Sequence, residues 1–301
     1  MTWDPKSYDG LVCDLDGVVY RGPEPVPHAV PSLVADARPV IYATNNASRP
    51  PESVAAHLSS LGLQVGAADV VNSSQAAAWI LGDLLAPGSP VLCVGGEGVG
   101  LAVAAAGYQV LSEADGAAAV VQGYGPDVRA ADLAEAAYAV AAGAVWVATN
   151  TDATLPTDRG IAPGNGSLVG AVERAVGHPP HRVAGKPETP MYQLAAERAS
   201  MPVQRLLAVG DRLDTDVAGA NAAGMDSLLV LTGVDDLAAV VRAPVALRPT
   251  WVARDLRALV DPAERERCEE LTASVRERWM LIDGGTDPGD LPWDDPSALL
   301  S

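Results

Sequence analysis

Short apolar, β-branched runs alternate along the chain with alanine-rich stretches of helical spacing. The runs are LVCD at 11–14, VIYA at 40–43, VLCV at 91–94, AVVQ near residue 120, VWVA at 145–148, LLAV at 206–209 and LLVL at 228–231. They are nearly continuous in hydrophobicity, as in strands buried on both faces, and not alternating as in strands with one wet face. Strand and helix signals in alternation predict an α/β fold with mostly parallel sheets covered by helices. Ligands of such sheets bind at the carboxyl edge, so the chemistry is expected just after the apolar runs.

Two helix starts are placed by their capping residues, with Ser73 or Ser74 before QAAAWILGDLL and Ser167 before LVGAVERAV. Between VNSS (71–74) and GHPPHR (177–182) the chain has its own strand–helix alternation, and Pro179 and Pro180 break any helix. This predicts a domain inserted into another: a discontinuous core over 1–74 and 179–260, an insertion over 75–178, and a terminal element over 261–301. In that last stretch Cys268, Leu271, Val275 and Trp279 recur every three or four residues, as on one face of an amphipathic helix. Packing on its own domain is the preferred reading of that helix. The closing DGGTDPGDLPWDDPSALLS is acidic and rich in Gly and Pro, a composition that predicts disorder, with Trp293 as a candidate anchor.

At 301 residues the chain has room for two such domains. Aromatic residues make up only 4% and Phe is absent, so Ala, Val and Leu must fill the cores. A formal net charge of -18 repels polyanions and argues against nucleic-acid or acidic-membrane partners. Cys13, Cys93 and Cys268 are odd in number and far apart, which suggests neither a disulfide framework nor a zinc cluster, and hence a reducing compartment. The opening MTWDPKSYDG lacks an apolar signal core and no later stretch reaches membrane-spanning length. A cytoplasmic protein without a membrane partner is the expectation.

Two carboxylates, Asp14 and Asp16, stand at the tip of the first apolar run, and a second acidic group, Asp211, Asp214 and Asp216, follows LLAVG. Charges so placed repel and lose solvation unless a cation or donors compensate. Two acidic strand tips in one parallel sheet can jointly hold a hard divalent ion, and oxygen ligands without His or Cys favour Mg2+ over zinc. A single DxD is equally well explained as a solvated turn. Lysine usage tips the balance: Lys6 and Lys186 are the only lysines in a chain that otherwise uses arginine. A lysine gives a compact point charge that fits among packed anions where a guanidinium does not. Thr44, Asn45 and Asn46 end another strand and offer hydroxyl, amide and backbone donors to an anion. The glycine run in VLCVGGEGVG lacks the third glycine of a dinucleotide loop and reads as a tight turn.

Taken in order, DLDG (14–17), TNN (44–46), GKP (185–187) and GDRLDTD (210–216) resemble the four motifs of the haloacid dehalogenase superfamily. The insertion between the second and third motifs, containing ATNTDATLPT and PGNGS, resembles the type C2 cap of its subclass IIA. That is the p-nitrophenylphosphatase and phosphoglycolate phosphatase branch. TNNASR, IAPGNGS, RVAGKP and GDRLDTDVAGANAAG are most similar to bacterial glycerol 3-phosphate phosphatases within it.

The resemblance implies a Rossmann-like core and Mg2+-dependent hydrolysis of a small phosphorylated metabolite. Asp14 would be the nucleophile that forms an aspartyl-phosphate, and Asp16 the acid and then base, a position at which dehalogenases of this fold lack an acid. It implies Mg2+ on the Asp14 carboxylate, the Asp16 carbonyl and Asp211, with Asp216 supporting or orienting Lys186. Thr44, Asn45, Asn46 and Lys186 would bind the phosphoryl oxygens. In the insertion, Asn150, Asp152 and Asn165 are candidates for substrate contact, with Asp152 suited to polyol hydroxyls. PGNGS is as well explained as a turn capped by Ser167. The resemblance also suggests a homodimer. Phosphoglycolate, a nucleoside monophosphate and pyridoxal phosphate stay open as substrates. Phosphoryl transfer to another acceptor stays open too, as does a silent binding or scaffolding protein on the same fold.

Overall fold

The computed structural model describes residues 2–157 and 159–288. The chain forms two units, one of Met1–Ala43, His57–Val65 and Ala195–Ser301, the other of Thr44–Ala56 and Gly66–Leu194. Both are α/β, as the alternation of runs predicts.

In the first unit the strands lie in the order Trp251–Ala253, Asp226–Val230, Leu206–Gly210, Gly10–Cys13 and Val40–Thr44. All neighbours are parallel, and the register sets Cys13 beside Val209 on one side and Tyr42 on the other. Leu11, Leu207 and Leu228 are fully buried, as expected of strands covered on both faces. Several aromatic residues pack together here. Trp3 and Trp251 pack with ring centroids 5.0 Å apart, Arg276 lies 5.0 Å over the Trp251 ring, and Trp251 Nε1 donates to the Tyr8 hydroxyl at 3.1 Å. Burial pushes the Tyr8 phenol well above its usual range.

The terminal helix runs over Pro262–Asp283, opened by Asp261, whose side chain accepts from Ala263 N, and by Pro262 in the first turn. Cys268, Leu271, Val275 and Trp279 are all buried, and the helix packs on its own unit against the Trp251–Ala253 strand. Trp279 Nε1 donates to Val240 O at 3.0 Å and Arg248 lies 5.1 Å over its ring. Burial of Leu271 and Val275 contributes roughly 1.5–3 kcal/mol each. The expectations for the tail beyond residue 288, Trp293 included, lie outside the described residues.

The second unit has a parallel sheet in the order Arg182–Val183, Val145–Ala148, Ala119–Gln122, Pro90–Val94 and Gln109–Leu111, and an antiparallel hairpin of Thr154–Thr157 and Gly160–Pro163. Its core gathers around the fully buried Trp146, whose Nε1 donates to Gln122 Oε1 at 3.1 Å. Two capping assignments are corrected. The helix Ser73–Leu84 is capped by Asn72, whose side chain accepts from Gln75 N while Gln75 reaches back to Asn72 N. Ser73 and Ser74 point elsewhere, to the Asn45 and Ala47 carbonyls. The helix Asn165–Val176 begins at Gly164 without a side-chain cap, and the Ser167 hydroxyl donates to Ala153 O at 2.7 Å.

The glycine run is a strand-to-helix turn, as expected, and its glycines serve close packing. A Cβ on Gly98 would lie 2.6 Å from Ala47 O. All three cysteines are free thiols, and burial raises Cys93 and Cys268 to about 12, so both stay protonated at neutral pH. No helix among the described residues is long and apolar enough to cross a membrane.

Candidate active site

The acids emerge where the parallel ladder places them. Asp14 N donates to Val209 O at 2.8 Å, one residue past the Gly10–Cys13 strand, while the neighbouring strand ends at Gly210 and delivers Asp211 at the same carboxyl edge. After Asp14 the chain turns sharply, with the Val18, Val19 and Tyr20 amides all donating to Leu15 O. Asp211 is only 1% exposed and its Oδ2 accepts from Val234 N at 2.8 Å. Two glycines make room for it: a Cβ would lie 2.4 Å from this oxygen at Gly17, where φ is +83°, and 1.7 Å away at Gly233. Any side chain at Gly233 displaces the Asp211 carboxylate.

Asp216 reaches the same place from a wide helical turn over Leu213–Val217, a geometry frequent at functional sites. Its Oδ2 accepts from Asp211 N at 3.3 Å and Arg212 N at 3.1 Å, in space left open by Gly210. One carboxylate oxygen from each of Asp14, Asp211 and Asp216 lies within 4.8 Å of the others. Three partly or fully buried carboxylates this close repel one another, a repulsion that a cation among them would offset. The donor set is all oxygen, which fits a hard divalent ion such as Mg2+ or Ca2+. Asp16 sits in the turn on the solvent side, outside this cluster of carboxylates, and Asp214 is exposed and paired with Arg212 at 2.8 Å.

The other candidate residues gather in the second unit. Thr44 Oγ1 accepts from Asn46 N at 3.1 Å, and Asn46 Oδ1 accepts from Ser48 N and Ser48 Oγ at 3.0 and 2.8 Å. The Asn45 side chain grips the Lys186 peptide from both sides: Lys186 N donates to Asn45 Oδ1 at 2.8 Å and Asn45 Nδ2 donates to Lys186 O at 3.0 Å. Asn45 Nδ2 also donates to Asp152 Oδ2 at 3.1 Å. Lys186 is 4% exposed, and a buried ammonium is costly unless an anion faces it. Asn150 and Asn165 are buried, and both donate through Nδ2 to backbone carbonyls, Asn150 to Asn45 O at 2.8 Å and Asn165 to Asn150 O at 2.7 Å.

The structure thus joins Asp14, Asp211 and Asp216 in one group, and Thr44, Asn45, Asn46, Asn150, Asp152, Asn165 and Lys186 in another. Sequence reading passed over Gly17 and Gly233 as space-makers for Asp211, and Asn72 as the helix cap. Only the last had a local signal, the Asn72-to-Gln75 spacing of a capping box.

Residues 11–109 match the family model of haloacid dehalogenase-like hydrolases, and residues 183–259 match a HAD hydrolase-like model. The D-glycerol 3-phosphate phosphatase of Mycobacterium tuberculosis is 45% identical over 281 residues, 93% of this chain and 77% of that protein. The chain belongs to the haloacid dehalogenase-like hydrolases. Two solved structures of this family place it among phosphatases. The glycerol phosphate phosphatase of M. tuberculosis in complex with magnesium superposes with a TM-score of 0.83 at 46% identity, covering 88% of this chain and 79% of that one. The p-nitrophenyl phosphatase of Archaeoglobus fulgidus gives 0.79 at 28% identity, covering 84% and 98%. This haloacid dehalogenase-like hydrolase is accordingly a phosphatase, an enzyme acting on phosphomonoesters.

Proposed function

We propose that this phosphatase hydrolyses glycerol 3-phosphate to glycerol and phosphate through an aspartyl-phosphate on Asp14, with Mg2+ as its ion. The observation that carries the reading is the convergence of Asp14, Asp211 and Asp216 carboxylates at the edge of two adjacent parallel strands. The similarity to the M. tuberculosis phosphatases, one of them solved with magnesium, supports the substrate and the ion. The Asp14 and Asp211 carboxylates and the Asp16 carbonyl would hold Mg2+, which would supply positive charge against the phosphoryl oxygens.

Asp14 Oδ attacks phosphorus and the bond to the ester oxygen breaks, while the Asp16 carboxyl gives its proton to the leaving alkoxide. In the second half Asp16, now ionised, takes a proton from water, the water oxygen bonds to phosphorus, and the Asp14–phosphorus bond breaks. The solvent-side placement of Asp16 suits both proton transfers. The two carboxyls thereby take opposite protonation states at the same stage, the usual division of labour in paired-acid sites. Asp216, held by two backbone amides, fixes the approach of Asp211. Thr44, Asn45, Asn46 and Lys186 neutralise and orient the phosphoryl group. Residues 75–178 serve as a C2-type cap that selects the alcohol portion, with Asp152 accepting from the glycerol hydroxyls.

Asp152→Ala tests the selective part of this reading. Loss of a hydrogen bond to a charged group, about 1.5–3 kcal/mol, lowers kcat/KM for glycerol 3-phosphate by roughly 10- to 150-fold. Phosphoglycolate and UMP, which do not offer the same hydroxyls, should fall much less. Unchanged preference among the three removes Asp152 from substrate recognition.

A further inference from the structure

The segment after Thr44 is fastened by buried side chains from elsewhere in its unit. Asn45 O accepts from Ser73 Oγ at 2.7 Å and Asn150 Nδ2 at 2.8 Å, Ala47 O from Ser74 Oγ at 2.8 Å, and Arg49 O from Asn72 Nδ2 at 2.9 Å. Asn72, Ser73 and Ser74 are fully buried. Each would be a costly place for a polar group unless it were bonded, so the sequence commits four buried polar side chains to one loop.

Asn150 has the most connected position. Its Nδ2 donates to Asn45 O, its Oδ1 accepts from Asp152 N at 3.2 Å, and Asn45 Nδ2 donates to Asp152 Oδ2 at 3.1 Å, which closes a ring of three residues. The same Asn45 amide clasps the Lys186 peptide. Gly185 lets that peptide come close, since a Cβ there would lie 2.6 Å from both Asn45 Oδ1 and Thr149 O. The Asn150 backbone is fixed in turn by Asn165, whose Nδ2 donates to Asn150 O at 2.7 Å and Gln122 O at 3.3 Å. Asn150 is 4% exposed and both ends of its amide are engaged within the protein.

We propose that Asn150 is a positioning residue: acting through Asn45, it locks the Lys186 peptide and the Asp152 carboxylate into one arrangement, so that phosphate binding and recognition of the alcohol portion are set together. It does not touch substrate, and Asn165 supports it from behind. The proposal rests on the roles given above to Lys186 and Asp152.

Asn150→Asp keeps the shape and the acceptor for Asp152 N but removes the donor to Asn45 O. The full-length variant, checked for native far-ultraviolet circular dichroism, is compared with wild type in glycerol 3-phosphate turnover and in competitive inhibition by inorganic phosphate. A misplaced Lys186 raises the inhibition constant for phosphate by about tenfold, the equivalent of one charged hydrogen bond, and lowers kcat together with it. If Asn150→Asp does not fold, Asn150→Ala is measured in its place with the same expectation. A folded variant with wild-type kcat and an unchanged phosphate inhibition constant overturns the proposal and leaves Asn150 with a structural role. Wild type lacking turnover, or keeping it after Lys186→Ala, overturns the underlying roles and the proposal with them.

Discussion

Asp14→Asn is expected to reduce phosphate release by roughly 10⁴-fold or more, the scale on which loss of a covalent nucleophile is felt. The amide has nearly the same shape, and Asp14 is only partly buried, so the fold should persist. The substitution removes the carboxylate proposed to bond phosphorus, which is also one of the three that converge at the strand edge. The variant should therefore also bind Mg2+ more weakly by calorimetry. Acid-quenched wild-type enzyme with labelled substrate should carry phosphate on protein, whereas Asp14→Asn should carry none. Phosphoprotein of equal yield in both would place the nucleophile elsewhere.

Lys186→Ala is expected to cost roughly 10²–10³-fold in kcat, the range found when one group that stabilises developing anionic charge is removed. Lys186→Arg should recover little of it. The lysine is one of two in the chain, 4% exposed, and its peptide is gripped from both sides by Asn45. A guanidinium carries the charge but needs more room and a planar set of partners. Steady-state kinetics should show the loss mainly in kcat. Lys186→Arg at wild-type rate would mean that charge alone, without compact geometry, suffices.

The strands that carry the acids were legible because their hydrophobic runs are continuous and end abruptly in aspartate. The terminal helix was legible because Cys268, Leu271, Val275 and Trp279 repeat at helical spacing. Both are local patterns that report burial directly. Three kinds of feature were not. Gly17 and Gly233 are ordinary turn residues in the sequence, and their purpose, leaving room for Asp211, exists only after distant segments pack. Ser73 and Ser74 have the composition of helix caps, but the cap one residue earlier already satisfies the helix end. Their hydroxyls are thus released to the loop at Asn45 and Ala47. Asn150 is a substrate candidate by sequence, and the engagement of its amide with Asn45, 105 positions away, is a separation that no local pattern encodes. The thin strands Gln109–Leu111 and Arg182–Val183 were missed for a related reason, being too short to build a hydrophobic run of their own.

The most direct measurement is phosphate release from glycerol 3-phosphate by the purified wild-type chain in Mg2+, in EDTA, and after Mg2+ is restored. Turnover that disappears in EDTA and returns with Mg2+ is the predicted result. No release in Mg2+, or a rate that EDTA leaves unchanged, would contradict the assignment of Asp14, Asp16 and Asp211 to a metal-assisted phosphatase site.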